Sequence, residues 1–186
     1  MNRQPLNDKP SSEAQDIIVW DILVRVCHWG IVMAFVINYF LVEPGRLIHE
    51  ISGYTAATLI IIRLYWGFSR AKTSYASFKH IDFSKSAFKT HIAHLKQGQI
   101  DKKHGHNPFG WLMVCFVITL LLGLGITGFM MEEIDALFGN SALEWAHSIM
   151  ADALYAGVIV HVIAVFWVQH KGRIQLIRPM ITGKRR

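Results

Sequence analysis

Four histidines set at defined depths in apolar segments are the residues best placed to do chemistry: His28, His49, His147 and His161. His147 and His161 stand 14 residues apart within the apolar stretch Trp145 to Val168. At 100° per residue that leaves them about 40° apart around one helix and roughly 21 Å apart along it. One helix therefore offers two imidazoles near opposite ends. If His28 and His49 lie at matching depths on other helices, the chain holds two imidazole pairs, as two b-type haems stacked across a bilayer require. The alternative for a single buried histidine is a bond to a backbone carbonyl, but ionisable side chains inside spans are costly and usually functional.

The elements that position them are membrane spans. Of the 186 residues 52% are hydrophobic and 17% charged, and mean hydropathy is +0.30, against about 25% charged in an average soluble domain. Phe109 to Met131 carries no charge, Ile51 to Phe68 only Arg63, and the first apolar segment has Asp21 and Arg25 near its start. The expected fold is an all-α membrane protein: one domain over 1–186, a bundle of four transmembrane helices at about 17–42, 49–68, 109–131 and 145–168, with a loop at 69–107.

Basic residues set the orientation. Two lie in Met1 to Val19, eight in Ser69 to Asn107 and six after Val168, all on one side of the spans; Arg46 alone lies on the other, with Glu132, Glu133, Asp135 and Glu144. Both termini are expected in the cytoplasm. The net charge of +6 is then a topology signal, and nucleic acid is not an expected partner. No cleavable signal peptide is apparent, so the first helix is expected to direct insertion. Cys27 and Cys115 lie within spans and no Cys-x-x-Cys-His is present, which supports neither a covalent haem nor a disulfide framework. His80, His91, His94, His104 and His106 fall in the basic loop, where a solvated role is the default, and His170, among the C-terminal bases, reads as interfacial. Phe78, Phe83 and Phe88, interleaved with lysines, read as an amphipathic segment on the inner membrane surface.

Depth pairs the histidines. Helix 1 runs inside to outside and helix 4 outside to inside, so His28 and His161 both fall in the inner half. His49 and His147 open helices 2 and 4 at the outer surface. Gly53 follows His49 by four residues and Gly157 precedes His161 by four, each on its ligand's helix face, where a porphyrin plane needs clearance; close helix packing is the alternative use of glycine. Arg63, 14 residues after His49, comes to the inner depth, where its guanidinium would meet haem propionates. Arg25, one turn before His28, either does the same or snorkels to the headgroups.

Arg25-Val-Cys-His28-Trp29, His49-Glu-Ile-Ser-Gly53 with Arg63, and His147 with His161 resemble the prokaryotic cytochrome b-561 superfamily. That superfamily includes the cytochrome b subunits of nickel-iron hydrogenases and the gamma subunit of formate dehydrogenase. His106-Asn-Pro-Phe-Gly110 and Leu176-Ile-Arg-Pro-Met-Ile-Thr-Gly183 are similar to a branch described only as cytochrome b domain proteins. The resemblance runs from about Trp20 to Gly183. It implies two haems b, ligated by His28 with His161 and His49 with His147, electron exchange with quinone, and a bacterial inner membrane location.

Bis-histidine ligation fills both axial positions, so the haem acts as an electron carrier. The expected function is transmembrane electron transfer between the quinone pool and a periplasmic-side partner: a cytochrome c, or a hydrogenase or dehydrogenase subunit that the chain anchors in lipid. Two alternatives stand beside it. One is superoxide oxidation at the outer haem with quinone as acceptor; the other is a colourless anchor with structural histidines. Quinone is expected near the inner haem, where Asn107 and Gly110 open helix 3 and His106 would move protons. A plain helix start, with Asn107 as N-cap and Pro108 in the first turn, is the other reading of those residues. Asp152 reads as a proton relay or as an interfacial acid facing water.

Overall fold

The computed structural model describes residues 17–69, 75–97 and 107–185. In chain order it contains strand β1 (Ile17–Ile18), helix α1 (Ile22–Val36) running into a π-helical turn (Ile37–Leu41), α2 (Leu47–Ser69), α3 (Lys85–Lys96), α4 (Pro108–Glu133), α5 (Ser141–Gly172), α6 (Ile177–Thr182) and strand β2 (Lys184–Arg185). Four helices are long and apolar enough to cross a membrane: α1 with its π turn, α2, α4 and α5. α1 packs on α2, α2 on α4 and α4 on α5. Ile60, Leu121 and Leu154 form the buried centre of the bundle. Large apolar side chains, among them Ile22, Met33, Ile126, Ile163 and Phe166, face outward. In water such a surface would aggregate; in lipid it is at home, and helices satisfy their backbone internally. The chain is a multi-pass membrane protein.

The helix bounds depart from the apolar runs where polar groups intervene. α1 starts at Ile22 rather than 17, because Ile17 and Ile18 pair antiparallel with Arg185 and Lys184 and Asp21, which precedes the helix, accepts from Trp66 Nε1 at 3.2 Å. α5 overruns 145–168 at both ends. Asn140 Oδ1 caps its start, accepting from the Ala142 and Leu143 N–H groups at 3.1 and 3.2 Å. In its last turn Gln169 Oε1 accepts from the Leu176 and Ile177 N–H groups beyond the helix at 2.9 and 3.2 Å. The 32 residues of α5 extend about 48 Å, well beyond a hydrocarbon core of about 30 Å, so its end turns stand clear of the apolar layer.

Both described chain ends dock on one end of the bundle. Gly183, at φ +81°, turns its carbonyl to accept from Val19 and Trp20 N–H at 2.8 and 3.3 Å. Trp29 Nε1 donates to the Met180 carbonyl at 3.2 Å. Val19, Trp20, Val24 and Ala76 are buried beneath this cap.

Between α2 and α4, α3 is an amphipathic helix with no buried residue. Phe88 of α3 packs on Phe109 at 4.9 Å, and Phe78 turns inward against Phe68 and Trp111 at 5.0 and 5.9 Å. Of the three phenylalanines only Phe83 is exposed. His104 and His106 lie outside the described residues.

Candidate functional site

Two imidazole pairs face each other across the bundle. The His28 ring on α1 and the His161 ring on α5 have centroids 6.4 Å apart. His49 on α2 and His147 on α5 stand 6.3 Å apart. Two imidazoles that share one metal through bonds of about 2.0 Å, each nitrogen roughly 1.2 Å from its ring centre, have centroids about 6.4 Å apart. A direct N–H···N bond of about 3.0 Å would bring them to roughly 5.4 Å. Each pair thus has the spacing of a shared metal axis. No group of three or more His, Cys, Asp or Glu gathers among the described residues. Two ligands per centre suit a metal whose other positions are filled by a macrocycle, and on that count the donor set fits haem.

The two arginines tie distant segments to the spans beside the His28 pair. Arg25 Nη1 donates to the Ile181 carbonyl at 2.6 Å. Arg63, 8% exposed, donates from Nη2 to the Ala76 carbonyl at 2.8 Å and sits 5.0 Å from the Phe78 ring centre. Each keeps one buried nitrogen without a hydrogen-bond partner among the described residues, Nε of Arg25 and Nη1 of Arg63. Trp29 meets His28 edge-on at 5.4 Å.

The glycines divide. A Cβ on Gly157 would run into the Phe116 ring of α4, so that face is filled by the chain itself; Gly53 has no neighbour nearer than Asn38 Nδ2 at 3.6 Å. Gly128, overlooked in the sequence, lies beside His147, whose Cε1 would be 3.6 Å from an added Cβ. Thr127 was missed as well: its Oγ1 is 2.8 Å from His147 Nδ1. Both sit on α4, and only the lateral order of the helices would have revealed them.

Asn107 caps α4, its Oδ1 accepting from the Gly110 N–H at 2.7 Å. Asp152 accepts from the Tyr39 hydroxyl at 3.0 Å, and Tyr39 stacks on Tyr155 at 4.7 Å. The π turn that carries Tyr39 also brings Asn38 against the Ser52 hydroxyl, as π turns do where side chains must be re-aimed. At the far end of the bundle the single base, Arg46, pairs with Glu43 at 3.4 Å on an exposed loop.

A family model described as prokaryotic cytochrome b561 matches residues 19–183, which takes in all four spans, both imidazole pairs and the docked segment after α5. No curated protein and no solved structure matches the chain. With the family match running over nearly its whole length and paired imidazoles on three of its spans, the chain belongs to the prokaryotic cytochrome b561 family, haem b proteins of membrane electron transfer.

Proposed function

We propose that the chain holds two haems b, one between His28 and His161 and one between His49 and His147, and exchanges electrons between the quinone pool and a redox partner at the acidic end of the bundle. The observation that carries this is the pair of centroid separations, 6.4 and 6.3 Å. When bound, the haems supply one-electron redox chemistry. His28 with His161 and His49 with His147 would hold the two groups, and two protein donors on each would keep other ligands away. Arg63 Nη1 and Arg25 Nε, buried and without hydrogen-bond partners among the described residues, are donors suited to propionates near the His28 pair. Gly53 leaves room beside His49.

The sixteen bases flanking the spans support a cytoplasmic location, in a bacterial inner membrane, for the end where both described chain ends dock. Asn107, at the start of α4 on that side, spends its side-chain oxygen on the Gly110 N–H, which leaves its amide N–H to bond a quinone carbonyl. Glu132, Glu133, Asp135 and Glu144 at the other end complement a basic partner surface, such as that of a periplasmic cytochrome c or a hydrogenase or dehydrogenase subunit. Quinol added to the purified protein in lipid nanodiscs should reduce both haems, more slowly in Asn107→Ala. Protein with full haem content that quinol does not reduce would contradict the proposal.

A further inference from the structure

We infer that Thr127 is a positioning residue for His147: its hydroxyl accepts the His147 Nδ1–H, turns Nε2 toward His49, and lowers the potential of the haem held by that pair. This rests on the ligand assignment proposed for His49 and His147.

Thr127 Oγ1 is 2.8 Å from His147 Nδ1 and 2.9 Å from the Gly123 carbonyl oxygen, with the Leu124 carbonyl at 3.3 Å. A threonine hydroxyl carries one hydrogen. The Gly123 carbonyl has none to give, so the hydrogen in that short contact is the threonine's, as in the usual back-bond to the preceding turn. Toward His147 the hydroxyl oxygen is then an acceptor, and the hydrogen between them sits on Nδ1. A neutral imidazole protonated at Nδ1 has its lone pair at Nε2, the nitrogen a metal shared with His49 would need. The reverse assignment puts the proton on Nε2. It removes the ligand's lone pair and leaves two oxygens at 2.9 Å with no hydrogen between them.

His147 is alone in this. Among the described residues no side-chain hydroxyl lies against a ring nitrogen of the other three imidazoles; His49 has the Asn38 backbone nearby, and its Nδ1 is buried without a partner among the described residues. An acceptor on the far ring N–H makes the ligating nitrogen more basic, and such partners change metal affinity by about 10- to 100-fold when removed. A more basic ligand favours the more highly charged, oxidised iron. A tenfold preference for the oxidised form corresponds to about 59 mV for a one-electron couple.

The test uses Thr127→Val, which keeps shape and loses the hydroxyl, and Thr127→Ser, which keeps the hydroxyl. Redox titration and electron paramagnetic resonance of the purified holoprotein are read for each haem. We expect Thr127→Val to raise one of the two potentials, by up to about 59 mV for a tenfold effect, and to move one low-spin signal, with Thr127→Ser restoring both. Loss of a single haem in Thr127→Val, rescued by Thr127→Ser, supports the same role. Two haems with native potentials and signals in Thr127→Val overturn it. His147→Ala is the separate control: two haems retained there would show that the ligand assignment had failed instead.

Discussion

Replacing Gly67 by alanine tests how the guanidinium beside the His28 pair is seated. A Cβ at Gly67 would stand 2.7 Å from Arg63 Nη1 and nearer still to the Phe78 ring. Carbon atoms settle at about 3.5–4.0 Å, so the ring must retreat by roughly 1 Å. It has little freedom to do so. Phe68 and Trp111 flank it at 5.0 and 5.9 Å, and the Arg63 guanidinium lies over its face at 5.0 Å. Alanine gains about 1 kcal/mol of helix propensity, but overpacking costs about 1–3 kcal/mol. Shifting Arg63 from the Ala76 carbonyl removes a charged hydrogen bond of about 1.5–3 kcal/mol. The net expectation is a loss of about 1.5–5 kcal/mol, measurable as the unfolding midpoint in mixed micelles, together with a spectral change confined to one haem. A Gly67→Ala protein as stable as the parent, with an unchanged spectrum, would refute the reasoning.

Gly53→Ala should leave the haem-free chain at least as stable, since the nearest atom is 3.6 Å from the added Cβ and helix propensity favours alanine by about 1 kcal/mol. Haem occupancy at the His49 pair should nevertheless fall, and unchanged occupancy would remove Gly53 from that site. His91, packed on Phe109 at 6.0 Å, has its pKa lowered by burial and then by His94. The undocked segment therefore takes up the proton first. Docking of α3 is at full strength above the ordinary histidine value of about 6.5 and weakens as pH falls through it. Amide protection in Lys85–Lys96, corrected for intrinsic exchange, should drop toward pH 5.5 and cease to do so in His91→Phe; protection independent of pH in the parent would count against this. Alkaline phosphatase fused after Arg186 should be inactive and fused within Asp135 to Ser141 active, and the reverse pattern would invert the membrane orientation.

Depth was legible in the sequence because a helix advances a constant distance per residue: the spacing of His147 from His161, and the positions of His28 and His49 in their apolar runs, suffice to match them in pairs. Lateral order was not legible. Which helix lies beside His147 is decided by packing of α4 against α5, so Thr127 and Gly128 carried no signal in a pattern read one helix at a time. Phe116, which fills the face of Gly157, was hidden for the same reason. Arg25 and Arg63 were legible as basic residues within their spans, but their bonds to the Ile181 and Ala76 carbonyls join segments far apart in the chain. The strand pairing of Ile17 with Arg185 is equally non-local, so an apolar run that read as the start of a span became part of a cap. Phe78 turned inward because the buried Arg63 and Trp111 offered it a site that alternation with lysines does not encode.

Haem content per chain decides whether the paired histidines hold two haems, measured as the pyridine haemochrome on purified protein and on the single variants His161→Ala and His49→Ala. Two haems per parent chain are expected, both low-spin and unaltered by carbon monoxide, since two imidazoles on each metal would leave no open position, and one haem in each variant. A parent chain with one haem, or a His161→Ala chain that keeps two, would contradict it.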